Sequence, residues 1–242
     1  MKFLIGNLKM NLSYFETQNY LNETENLIKK ENLKNTKIGQ AVSHDSMSLI
    51  LNHQNRNFLF GAQNIFHLER GAYTGEVSIR TAKELNLDFV LIGHSERRMM
   101  FNETDELINQ KIITLEGTNV RPVLCVGEDL ATFEAKKTYE FIENQLKKCL
   151  KNITDFGNLI ISYEPIYCIG NGIIPEICHI EHVIQKIKEM THFSVPVLYG
   201  GSVSLKNIKE LIKIGNCDGF LVGGAALNPT NFIEMAKILD TK

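Results

Sequence analysis

Residues 158–172, NLIISYEPIYCIGNG, decide how the chain is read. Residues 159–163 form a short apolar run rich in β-branched side chains, which reads as a buried strand. Glu164 stands where the run stops, and Pro165, with no N–H to donate, ends the pairing. Gly170 and Gly172 then mark a loop that can move and can bring backbone close to a ligand. In a parallel α/β protein the C-terminal end of a strand is where sites are built. A carboxylate there, beneath a closing lid, is a candidate general base, because burial raises its affinity for a proton. The competing reading is a plain ion pair with a helix or a neighbouring Arg.

Working outward, similar runs recur at residues 3–8, 37–42, 58–62, 89–93, 122–126, 195–199 and 219–222. Helix-like segments separate them: 14–30 with Ser13 as N-cap, 45–51, 79–85, 104–115, 132–150, 176–190 after Pro175, 205–214 and 231–239. Eight β–α units with no linker or low-complexity tract predict an α/β fold, a closed (β/α)8 barrel forming one domain over residues 1–242. A doubly wound open sheet is the alternative.

Composition narrows the function classes. The chain is 43% hydrophobic with a net charge of −2, too balanced for nucleic acid or an anionic membrane as its main partner. No run nears the roughly 18 apolar residues that span a bilayer, and the apolar start is broken by Asn7 and Lys9, so no secretory signal is expected. The 5 cysteines are odd in number and lack a C-x-x-C pair, which predicts a reduced, cytoplasmic protein. His179 and His182 share a helical i, i+3 spacing, but nothing completes a metal site, and no cofactor is expected.

The strand ends carry the chemistry. Asn7 and Lys9 follow the first strand, His94 the fourth and Glu164 the sixth. Gly200, Gly201 and Ser202 follow the seventh, and Gly223 and Gly224 the eighth. Glycines after these last two strands, beside a helix N-terminus, expose backbone N–H groups to an anion such as phosphate. Ser95 and Glu96 behind His94 suit the start of a short helix, whose positive end favours the neutral imidazole. A base, a neutral electrophile, a cation and a phosphate cup around one mouth suit proton abstraction beside the carbonyl of a small phosphorylated sugar.

These pieces resemble the triosephosphate isomerase family. The resemblance rests on Gly6-Asn7-Leu8-Lys9-Met10-Asn11, Ala62-Gln63-Asn64, Gly71-Ala72-Tyr73-Thr74-Gly75-Glu76, residues 92–98, Cys125-Val126-Gly127-Glu128, Tyr163-Glu164-Pro165, Ile169-Gly170-Asn171-Gly172, Tyr199-Gly200-Gly201-Ser202-Val203 and residues 218–224, in order along nearly the whole chain. The resemblance implies that Glu164 moves the proton, His94 polarises the carbonyl oxygens, Lys9 offsets negative charge and Asn7 helps to hold the substrate, the division of labour established for this family. It also implies that Gly170, Ser202, Gly223 and Gly224 bind phosphate, that Glu96 stands behind the site, and that a lid over residues 165–172 excludes water. The family is typically homodimeric, so the loop from Gly71 to Glu76, with Thr74, is expected to reach a partner's site and support Lys9.

The chain departs from the family pattern at Leu8 and Tyr167, where Trp is usual, at Cys168, where Ala is usual, and at Asn171, usually Thr. The hinge Ile173-Ile174-Pro175 is about two residues short of the family's, so altered lid rates are expected. The leading reading is interconversion of glyceraldehyde 3-phosphate and dihydroxyacetone phosphate. The alternatives are a catalytically impaired triose-phosphate-binding homologue with an altered lid, or another phosphate-binding barrel such as an epimerase or aldolase. An aldolase needs a Schiff-base lysine deep in the barrel, which no later strand offers.

Overall fold

The computed structural model describes residues 1–53, 56–170 and 172–241; Asn171, singled out above, lies outside the described residues. Eight parallel strands are bonded in chain order: β1 Lys2–Asn7, β2 Thr36–Val42, β3 Leu59–Ala62, β4 Phe89–Ile92, β5 Arg121–Val126, β6 Ile160–Tyr163, β7 Val197–Tyr199 and β8 Gly219–Val222. β8 also pairs with β1, with Leu4 opposite Phe220, so the sheet closes on itself as a (β/α)8 barrel.

Alternation along each strand divides two cores. Phe3, Ile5, Phe89, Leu91, Val123 and Ile160 pack together inside the barrel. Their strand neighbours Leu4, Val90, Ile92, Leu124 and Ile161 pack outward against the helices. Phe89 plugs the interior beneath the mouth: a Cβ on Gly61 would lie 2.5 Å from its ring. On β6 the same parity that turns Ile160 inward brings Ser162, and then Glu164, to the barrel's open end.

Two helical expectations are corrected. The segment 132–150 is two helices, Leu130–Glu134 and Thr138–Cys149. Lys136 between them adopts a left-handed φ of 57°. The Lys136 N–H reaches the Phe133 carbonyl and the Lys137 N–H the Thr132 carbonyl, a Schellman closure made without glycine. The segment 205–214 is regular helix over Ile208–Leu211 alone. Asn207 ties the preceding residues into turns, accepting from the Ser204 N–H at 2.8 Å and donating to the Ser202 carbonyl at 2.9 Å. The short helix expected behind His94 runs Ser95–Met100, and its cap is His94 itself.

Candidate active site

A cavity of about 760 Å³ opens at the C-terminal end of the barrel. Asn7, Lys9, His94, Glu164, Gly170, Ser202, Gly223 and Gly224 all line it. Glu96 stands behind, its Oε1 2.6 Å from the Lys9 Nζ.

Lys9 sits in an uncommon backbone state, with φ at 52°. For a residue with a Cβ the left-handed region costs roughly 1–2 kcal/mol and is held by its surroundings. Here Asn7 Oδ1 accepts the Lys9 N–H at 3.1 Å, and Gln63 Nε2 donates to the Lys9 carbonyl at 2.9 Å. The side chain thereby leaves β1 toward the cavity, where Glu96 holds the ammonium.

His94 is buried, and its Nδ1 accepts the Glu96 N–H at 3.3 Å. A nitrogen that accepts carries no proton, so the geometry fits a neutral ring with Nε2–H facing the cavity. Nε2 lies 3.7 Å from Glu164 Oε2.

Glu164 continues β6 by one residue, its N–H donating to the Val126 carbonyl at 2.7 Å. The carboxylate is 2% exposed. Ser162 Oγ donates to Oε1 at 3.3 Å, while Oε2 has no hydrogen-bond partner among the described residues. One oxygen is held and the other is free toward the cavity, as a base requires. Beneath it Cys125, opposite Ser162 in the β5–β6 register, is a fully buried thiol. Burial first, and then the nearby Glu164 charge, push that thiol well above its usual range, so it stays protonated under the base.

The glycines after β7 and β8 divide their work. Gly224 has no atom within 4 Å of where a Cβ would stand, and Gly223 faces Lys9 Cε at 3.4 Å, so the mouth stays open there. Gly200 instead makes room for the base: a Cβ would meet Glu164 Cγ at 2.6 Å and Ser162 Oγ at 2.7 Å. Sequence reasoning grouped Gly200 with the anion glycines, missed Ser162, and quoted Gln63 and Cys125 within family motifs without giving either a role. The period-2 parity of β6 already pointed to Ser162.

The lid is docked on the rim. Ser202 Oγ donates to the Cys168 carbonyl at 2.6 Å and accepts the Gly172 N–H at 3.1 Å. At the lid's start the Ile166 N–H donates to the Glu128 carbonyl at 2.9 Å, and Tyr167 stacks on Phe133 with ring centroids 4.8 Å apart. Glu128 is fully buried and accepts from the Tyr163 hydroxyl at 3.0 Å.

The family model described as Triosephosphate isomerase matches residues 2–239. The chain is 38% identical over 239 residues to the triosephosphate isomerase of Mycoplasma mobile, covering 98% of this chain and 99% of that protein. It is 39% identical over 251 residues to that of Malacoplasma penetrans, covering 98% of each. With that of Lacticaseibacillus casei the identity is 36% over 248 residues, again 98% of each.

Proposed function

Since this chain belongs to the triosephosphate isomerase family and is an isomerase interconverting D-glyceraldehyde 3-phosphate and dihydroxyacetone phosphate, we propose how its own residues divide the reaction. Glu164 Oε2 takes the proton from the carbon beside the carbonyl and returns it to the neighbouring carbon. His94 Nε2–H hydrogen-bonds the two substrate oxygens in turn, and Lys9 Nζ offsets the negative charge of the enediolate. Asn7 fixes the backbone that presents Lys9 and helps to hold the substrate. The amides of Gly170, Gly223 and Gly224, with Ser202, take the phosphate. The docked lid keeps water from the enediolate, which otherwise loses phosphate.

One observation carries this reading: Glu164 Oε2, unbonded among the described residues, faces His94 Nε2 at 3.7 Å across a cavity that also holds Lys9. The test is turnover of glyceraldehyde 3-phosphate with Glu164→Gln alongside. Loss of about 10³-fold or more in kcat, with KM little changed, is expected for a general base. A variant within tenfold of the parent would remove Glu164 from that role. Parent protein that folds yet does not turn over would favour the impaired binding homologue.

The working form proposed is a homodimer. Every residue from Gly71 to Glu76 is exposed, and so are Met10 beside Lys9, Phe15, Met99, Met100 and Phe101. A flank this apolar suits burial against a second copy whose Thr74 loop supports Lys9. Sedimentation at micromolar concentration should give a dimer, and Thr74→Arg a less active monomer; a fully active monomeric parent would contradict it. The chain is read as one domain, supported by the pairing of its first and last strands. A cytoplasmic setting is proposed: all 5 cysteines are free, and among the described residues no helix is long and apolar enough to cross a membrane. Fractionation that places the protein outside the cytoplasm would overturn that setting.

A further inference from the structure

The turn after β8 is held from behind by a side chain 206 positions away. Tyr20, on the inner face of the helix Tyr14–Ile28, is buried, and its hydroxyl donates to the Ala226 carbonyl at 2.6 Å. Ala226 lies in the 3-10 turn Gly224–Leu227, and its own N–H donates to the Gly223 carbonyl at 2.8 Å. One residue is therefore tied through its N–H to Gly223, the cap of the turn, and through its carbonyl to the helix. Gly223, Gly224 and Ala225 all line the cavity, so the same turn sets where their N–H groups point.

The seat is built from both sides. A Cβ on Gly6 of β1 would meet Ala226 Cβ at 3.1 Å and Gln40 Oε1 at 2.2 Å, so β1 carries no side chain where the turn rests. Burial is the largest influence on the Tyr20 phenol and pushes it far above its usual range, with Thr24 and Gln40 close by and acting the other way. The group is thus a neutral donor throughout the working pH range. Packing the helix against the barrel needs the ring alone, whereas holding the Ala226 carbonyl needs the hydroxyl.

We propose that Tyr20 is a positioning residue for the phosphate end of the substrate, its hydroxyl fixing the Ala226 carbonyl and thereby the aim of the Gly223 and Gly224 amides. The proposal rests on the phosphate-cup reading given above. It makes the first helix part of the anion site without touching the anion. Aim matters because backbone donors lose their hold on an anion steeply as their angle opens.

The test is Tyr20→Phe, which keeps the ring, compared with the parent on three readouts: KM and kcat for glyceraldehyde 3-phosphate, Ki for inorganic phosphate, and turnover of unphosphorylated glyceraldehyde. One lost hydrogen bond predicts that KM and the phosphate Ki rise about 3–10-fold. Turnover of the unphosphorylated aldehyde should stay within about twofold, since it uses Glu164, His94 and Lys9 but not the cup. Thr17→Val removes another buried hydroxyl from the same helix, one that does not act on the Tyr20 phenol, and should leave the phosphate Ki unchanged. If Tyr20→Phe is too unstable for kinetics, the rise in Tm on adding phosphate gives the same comparison, and a smaller rise than the parent's is expected. An unchanged phosphate Ki, equal losses on both aldehydes, or equal effects of Tyr20→Phe and Thr17→Val would overturn the proposal. Phosphate that competes equally in parent and variant removes Tyr20 and leaves the cup standing. Phosphate that fails to compete in the parent removes the cup and this proposal with it.

Discussion

Lys9, His94 and Glu164 are set by the barrel, while the lid is set by a few contacts at its two ends. The three rim residues stand within two positions of a strand end, and backbone or strand-end bonds fix each: Asn7 and Gln63 on Lys9, a helix N-terminus on His94, the Val126 carbonyl on Glu164. The lid begins tied to Glu128, then meets the rim again through Ser202. The departures from the family pattern fall on the lid, at Tyr167, Cys168, Asn171 and residues 173–175, and on Leu8. They spare Lys9, His94 and Glu164, the three groups proposed to handle the proton and charge. Chemistry and gating are therefore separable in this chain, and substitutions should sort accordingly.

Lys9→Met should show the largest effect on that comparison, a fall in kcat/KM of about 10²–10³-fold, as for removal of one preorganised charge-stabilising group. Steady-state kinetics with the melting temperature alongside would check it, and a loss under tenfold would place charge stabilisation elsewhere. Ser202→Ala cuts both lid contacts and should lower kcat/KM about tenfold. It should also raise the inorganic phosphate released per turnover, as the enediolate escapes a leaking site. An unchanged ratio of phosphate to product would show that Ser202 does not hold the lid. Insertion of two alanines between Ile173 and Ile174 should change kcat only severalfold and alter its dependence on solvent viscosity. A loss as large as that of Lys9→Met would end the separation of gating from chemistry.

The smallest effect concerns Cys168. Burial, and then the Glu128 charge, push its thiol up to about 12. A raised thiol pKa keeps the neutral form, so thiolate appears only as pH climbs toward that value, and at pH 8 it is about one part in 10⁴. Iodoacetamide at pH 8 should modify exposed Cys178 and leave turnover intact; mass spectrometry showing prompt labelling of Cys168 would contradict this.

Much of this arrangement was legible in the sequence, for a physical reason. Buried parallel strands are short apolar runs, so each end of a run marks the rim, and a polar residue just past it is exposed to the mouth. That logic brought His94 and Glu164 forward as candidates and Lys9 with them as part of the constellation, whereas Asn7, the last residue of β1, took its role from the family resemblance. It placed the strands to within a residue or two, as at 159–163 against Ile160–Tyr163. What it missed depends on contacts remote in sequence or on backbone states that residue types do not announce. Lys136 closes a helix where a glycine would have signalled the stop. Gly200 reads as an anion glycine, yet its missing side chain admits Glu164. Tyr20 reads as one more apolar residue of an amphipathic helix, and only folding brings its hydroxyl to Ala226.

The hinge Ile173-Ile174-Pro175 has a consequence in configurational entropy. Ile173 and Ile174 are β-branched, Pro175 has its φ fixed, and the residue before a proline is itself confined. Each constraint removes conformers from the undocked lid more than from the docked one, in which Ile174 already packs on the core. The free lid has less freedom to surrender, so docking is entropically cheaper than it is for a longer, glycine-rich hinge. A stiff hinge of this kind biases the resting enzyme toward closure and moves the slow step of the cycle toward letting product go.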